Sequence, residues 1–252
     1  MEILQAIFVN PFLNLLIGLR NIMPGADLGL AIIAVTLIVR LVLYPLSAKQ
    51  IRAQRAMQEL QPRINEIRAK HKDDKEAQSK ALLEFYKKNK INPLSSCGPL
   101  VLQLAFIYPL FFVFRLAVSG ADFSAQLYPF IAHPTLPIDT LFFGTLNLAA
   151  SGSIILAILT AGAQFAQSWM LLKRSPQNKD KKDASARLSR NMTYIFPLLT
   201  GYFAYTFPSG LALYWFASTL FAILQQFIIM RSAASTPLNG QHAEEVEAPV
   251  VK

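Results

Sequence analysis

The 252-residue chain is 53% hydrophobic yet carries a net charge of +9, with a mean hydropathy of +0.36. It is too apolar for an ordinary soluble domain and too long for a single anchor, so it reads as an all-α polytopic membrane protein. Its apolar runs are continuous, which excludes the alternating strands of a β-barrel, and its one cysteine, Cys97, excludes an internal disulfide.

Residues 1–27 form an N-terminal amphipathic segment. Ile3, Leu4, Ile7, Phe8, Phe12, Leu15, Leu16 and Leu19 recur at helical spacing, and Glu2, Gln5, Asn10 and Asn14 interrupt them. That pattern predicts a helix lying at the membrane interface, with a short extra span as the competing reading. No cleavable leader is expected in 3–19, which lacks a basic start and is broken by Pro11.

The first span is 28–46. Near its middle lies Arg40, at a cost of about 2.5–3.5 kcal/mol on insertion scales. No hydrophobic span of the chain contains an Asp or Glu, so Arg40 has no acidic partner inside the membrane. Carbonyls freed by Pro99 or Pro109 are the alternative acceptors; otherwise the guanidinium sits in a wet cavity or snorkels to an interface.

Residues 47–92 are abruptly polar, with 12 of the 24 Lys and Arg in 48–92. Two sparse apolar stripes on either side of a polar break at His71–Asp74 predict a cytosolic helical hairpin. It serves either as a solvated spacer or as a mobile paddle suited to anionic headgroups. A second span follows at 93–118, interrupted by Gly98, Pro99 and Pro109. Residues 119–152 form an external loop, which has no Lys or Arg between Val118 and Thr140. The third span is 153–172, with Thr160, Gln164 and Gln167 at helical spacing. The cytosolic loop 173–191 follows, with 7 basic residues in 173–190. A fourth span at 192–207 is short, and Pro208–Gly210 turns the chain into a fifth at 211–230. Residues 231–252 form a disordered cytosolic tail. The basic blocks mark cytosolic loops, which places the N-terminus outside and the C-terminus inside. With the charge explained by topology, nucleic acid is not an expected partner.

Arg40, Thr36, Gln103, Gln164, Gln167, Tyr214 and Trp215 form the candidate polar constellation. Each glutamine alone could be ordinary glue between helices. Arg40 is harder to explain that way, because glue needs an acceptor. If the spans enclose a hydrated groove with Arg40 at its base, an incoming acidic segment could pair with the guanidinium while its apolar neighbour slides into lipid. Catalysis, cofactors and metals are not expected. His71, His133 and His242 are scattered, the spans hold no titratable carboxylate, and no glycine-rich phosphate loop is present. An anion channel and a structural assembly factor are the other function classes that fit.

Four motifs then stand together in order: V-R-L-V-L-Y-P-L-S-A-K-Q at 39–50; Gln58, Gln61 and Pro62 in the hairpin; N-P-L-S-S-C-G-P-L-V-L-Q at 92–103; and F-P-S-G-L-A-L-Y-W at 207–215. They resemble the YidC family of membrane protein insertases. The resemblance implies five transmembrane helices around a hydrophilic groove that is open to the cytosol and lipid and closed outside. In it, Arg40 is the groove's positive charge, Gln167 (with Gln164 as the alternative) the third-span glutamine, and Trp215 the last-span tryptophan. It also implies a bacterial inner-membrane location, insertase and chaperone activity, and nascent membrane proteins and the lipid bilayer as partners. The Sec translocon and the ribosome are further candidates, although the acidic tail does not suit ribosome docking through a basic C-terminus.

Overall fold

The computed structural model describes residue 5 and residues 9–89, 98–119, 122–174 and 184–234. Expectations for Ile3, Leu4, Ile7, Phe8, Cys97, residues 175–183 and the tail from 235 onward lie outside the described residues. Among the described residues there are nine α-helices: α1 (Asn10–Ile22), α2 (Leu28–Val42), α3 (Tyr44–Glu59), α4 (Gln61–Lys70), α5 (Lys75–Lys88), α6 (Gly98–Ser119), α7 (Ile154–Arg174), α8 (Ala184–Thr206) and α9 (Ser209–Ala234). Between α6 and α7 runs a strap, residues 122–153, containing one small antiparallel hairpin of β1 (Leu141–Phe142) and β2 (Leu146–Asn147).

The α1 helix starts on Pro11, whose missing N–H costs nothing in a first turn. Phe12, Leu13, Leu16 and Ile17 are buried on one face. That face packs on α2 and α6, so protein covers Phe12 and Leu16 of the stripe read from the sequence. Asn14, which looked like an interruption, is buried too. Its amide donates to Asn10 O (2.8 Å) and Gln126 O (2.9 Å), and its carbonyl oxygen accepts from the Tyr128 N–H (2.6 Å). Buried polar groups must be paired, and Asn14 meets that need by tying the strap down.

Gly25 takes a left-handed φ of 66°, which turns the chain into Asp27. One carboxylate oxygen of Asp27 caps α2 by accepting from Gly29 N (2.7 Å) and Leu30 N (3.0 Å). The other accepts from Phe143 N at the hairpin tip (2.8 Å).

The span predicted at 28–46 does not run straight. The helix breaks at Leu43 and restarts at a 68° bend. Pro45 is the reason, because it cannot donate to the carbonyl of Leu41 and its ring clashes there. The fifteen residues of α2 reach about 22 Å, short of the ~30 Å hydrocarbon layer. Tyr44, Pro45 and Leu46 therefore belong to α3, and α2 and α3 pass as one span only together. The break at Leu60 precedes Pro62 in the same way. The polar stretch 71–74 is the turn between α4 and α5, with Asp74 capping α5 through Glu76 N (3.0 Å) and Ala77 N (2.9 Å).

Among the described residues, two helices are long and apolar enough to cross a membrane, through Ile154–Leu172 and Ser209–Arg231; the bent pair makes a third. The segment predicted as a short span at 192–207 belongs to a longer helix, since α8 has 23 residues and begins at Ala184. Its first turns carry Arg187 and Arg190, which hid the helix from a hydrophobicity reading.

The apolar core gathers at one end of the helices. It joins α1, the first turns of α2, Leu110, Val113 and Phe114 of α6, Leu156 of α7, Ala204 of α8 and Leu211–Tyr214 of α9, with Phe123, Ile138 and Leu148 of the strap. Main-chain hydrogen bonds from Ser209 N to Ala150 O (2.8 Å), Gly210 N to Leu148 O (2.9 Å) and Gly152 N to Tyr205 O (2.8 Å) close that end. The long strap is therefore a folded cap.

Two outcomes test this packing by thermal unfolding in detergent. Asp27→Ala removes both the cap and the tie to Phe143 and should cost about 1–2 kcal/mol, with Asp27→Asn retaining most of it. A Cβ at Gly210 would lie 2.3 Å from the buried Phe114 ring, so Gly210→Ala should destabilise by about 1–3 kcal/mol.

Candidate functional site around Arg40

Arg40 lies beyond that core, toward the bend into α3, whereas Tyr214 belongs to the core and Trp215 packs against it. Arg40 is twelve residues into α2, about 18 Å from its start. It stands one turn before the Pro45 break and is half-buried.

Its partner is neither a carboxylate nor a carbonyl freed by Pro99 or Pro109. Arg40 Nε donates to Ser218 Oγ at 3.1 Å, and Nη2 donates to the same oxygen. The Tyr214 hydroxyl also reaches Ser218 and lies within the field of Arg40. A hydroxyl oxygen can accept both N–H groups but brings no charge, and the remaining guanidinium donors have no acceptor among the described residues. Ion pairs among the described residues, Arg55–Glu59 in α3 and Arg63–Glu66 in α4, lie elsewhere. The Arg40 carbonyl accepts from Gln225 Nε2 at 3.4 Å.

The other candidates divide. Tyr214 joins Arg40 through Ser218. Thr36 is buried and donates its hydroxyl to Ile32 O (2.6 Å), so its polarity is absorbed by its own helix. Gln164 Nε2 donates to Gln167 Oε1 (3.3 Å), one turn apart on α7. Thr160, a turn before Gln164, reaches Ala212 O on α9 (3.5 Å). The glutamine pair thus lies on the α7 face turned to α9, but no hydrogen bond joins it to Arg40. Gln103 Nε2 is buried with no partner among the described residues. Trp215 is half-buried against the apolar core, one residue from Tyr214.

Sequence reading missed Ser218, Gln225 and Gln226, all buried in α9. A signal existed. Tyr214, Ser218 and Gln225 are spaced i, i+4 and i+11, which is one face of a helix. Six buried polar atoms have no partner among the described residues: Ser47 Oγ, Asn65 Nδ2, Gln103 Nε2 and Gln226 Nε2, and, at the strap end, Arg20 Nε and Gln126 Oε1. The capped end holds most of the buried hydrocarbon, with Asn14 and Arg20 buried beside it. No three His, Cys, Asp or Glu side chains come together among the described residues.

Residues 19–236 match the family model described as 60Kd inner membrane protein. The membrane protein insertase YidC of Fusobacterium nucleatum is 32% identical over 208 residues, covering 82% of this chain and 88% of that protein. The insertase YidC of Francisella tularensis subsp. novicida is 35% identical over 208 residues, covering 82% of this chain but 33% of that protein. The chain therefore spans about a third of the length of the Francisella relatives. A solved structure described as an active YidC insertase with the first transmembrane domain resolved superposes with a TM-score of 0.59 at 28% identity, covering 87% of this chain and 45% of that chain. The chain belongs to this family, the non-enzymatic YidC membrane protein insertases of the bacterial inner membrane.

Proposed function

We propose that the chain works without nucleotide, as an insertase and membrane chaperone for short-tailed membrane proteins arriving from the cytosol, and that Arg40 is the positive charge of a hydrated groove. Five spans enclose the groove, at 28–46, 93–118, 153–172, 192–207 and 211–230. The N-terminus is outside, the C-terminus is cytosolic, and residues 47–92 stand in the cytosol. Thr36, Gln103, Gln164, Gln167, Tyr214 and Trp215 line the groove with Arg40. The chain acts alone or beside the Sec translocon.

One observation carries the reading: the Arg40 guanidinium is half-buried with a single neutral hydroxyl as its partner. A charge in a low-dielectric setting is costly unless it is paired or wet. The partition of polarity along the helices supports the same view. A hydrogen-bonded cap over a largely apolar core closes one end, while polar side chains such as Ser47 and Gln226 are buried toward the other. A client entering from the polar end places an Asp or Glu against Arg40 and needs to cross only the thin apolar end. Its hydrophobic segment then moves sideways into lipid, releasing about 0.8 kcal/mol per buried CH₂.

The test is insertion into liposomes by the purified protein, using single-span clients whose translocated tails are acidic or neutral. Arg40→Ala should lower insertion of the acidic-tailed client by about ten- to hundredfold, the loss expected for a charge-assisted interaction of about 1.5–3 kcal/mol. The neutral-tailed client should change little, and Arg40→Lys should retain part of the activity. Equal insertion of both clients by Arg40→Ala would overturn the reading. Anion conductance in a planar bilayer that vanishes with Arg40→Ala would assign the charge to a channel instead.

A further inference from the structure

Arginine has a long side chain with about 2 kcal/mol of rotamer entropy, so a guanidinium useful at one depth must be held there. One face of α9 holds this one at two atoms. Ser218 Oγ takes Nε and Nη2, and seven residues further on, two helical turns, Gln225 Nε2 reaches the Arg40 carbonyl. That carbonyl is special. In an unbroken helix it would accept from the Tyr44 N–H, but the chain bends at Leu43, and the main-chain hydrogen bonds crossing the break run from Leu43 N to Val39 O (3.0 Å) and from Ser47 N to Leu43 O (2.9 Å). Gln225 supplies the donor that the bend removes. Ser218 and Gln225 are both at least 97% buried, so neither is placed to meet a client first.

We propose that Ser218 and Gln225 are the positioning residues of Arg40. Ser218 aims the guanidinium and Gln225 pins its main chain beside the helix break. The chemistry of Ser218 suits a charge that must later be given up. Its hydroxyl orients the fork without neutralising it, so a client carboxylate, which accepts charge-assisted and bidentate bonds, displaces it. An acidic residue at 218 would form the permanent pair that the chain otherwise avoids. This proposal rests on the reading of Arg40 as the client-binding charge.

The experiment is the same liposome assay, read as the ratio of acidic-tailed to neutral-tailed insertion, with each variant's thermal unfolding measured in detergent. Ser218→Ala should lower the ratio by about two- to tenfold, the loss expected for one hydrogen bond, and Ser218→Thr should restore it. Ser218→Asp should lower the ratio as far as Arg40→Ala does. Gln225→Leu, similar in bulk but without a donor, should lower it by about two- to tenfold. In an Arg40→Ala background neither Ser218→Ala nor Gln225→Leu should lower the ratio further. A normal ratio in Ser218→Ala and Gln225→Leu, with Arg40→Ala impaired, would overturn the positioning role alone. So would effects that persist undiminished in the Arg40→Ala background, since those would come from helix packing. A normal ratio in Arg40→Ala itself would overturn the groove reading and this proposal with it.

Discussion

The arrangement depends on one unfavourable placement, a guanidinium about 18 Å into a hydrophobic helix, met by a hydroxyl and no carboxylate. A carboxylate within reach would have made a tight internal pair and left nothing for a visitor. An apolar neighbour would have left a buried charge that the fold could not sustain. A serine lies between those limits. It satisfies two N–H groups with a neutral acceptor and leaves the charge on the arginine. Helix packing of α9 against α2 brings it there.

Pro45 has two consequences from a single missing N–H. It ends α2 a turn after Arg40 and redirects the chain by 68° toward the α4–α5 hairpin. It also frees the backbone around Arg40 for a side chain from another helix, and Gln225 occupies that opening. The charged residue and the base of the hairpin are thus held by neighbouring parts of α9, with Ser218 and Gln225 on α2 and later turns against α3.

The two ends of the molecule are built from different materials. At the strap end, Asp27, Asn14 and the main chain of 148–152 spend their hydrogen bonds on closing loops over a hydrocarbon core. Toward the hairpin, Ser47, Asn65, Gln103 and Gln226 bury polar atoms without partners among the described residues, and Arg20 and Gln126 do so at the strap end. Such groups call for water or something polar in its place. The closed strap end favours a site entered from the other side.

Local chemistry made much of this legible in the sequence. Asp27 and Asp74 before apolar or helical runs, Pro45 and Pro62, and the polar break at 71–74 all act through nearest neighbours, so the hairpin and the helices through 154–172 and 211–230 could be read directly. The oddity of Arg40 was equally visible, because it needs only a count of carboxylates in the spans. What the tertiary structure decided were partners distant in the chain. Ser218 is 178 residues from Arg40 and Gln225 is 185, and no spacing rule links them to it. The fate of the α1 stripe was undecided for the same reason, since an apolar face fits lipid and protein alike. So was the role of Asn14, whose partners Gln126 and Tyr128 lie in a strap more than a hundred residues away. Sequence alone determined that a charge sat where charge is costly; only the packing of one helix on another decided which neutral group would hold it.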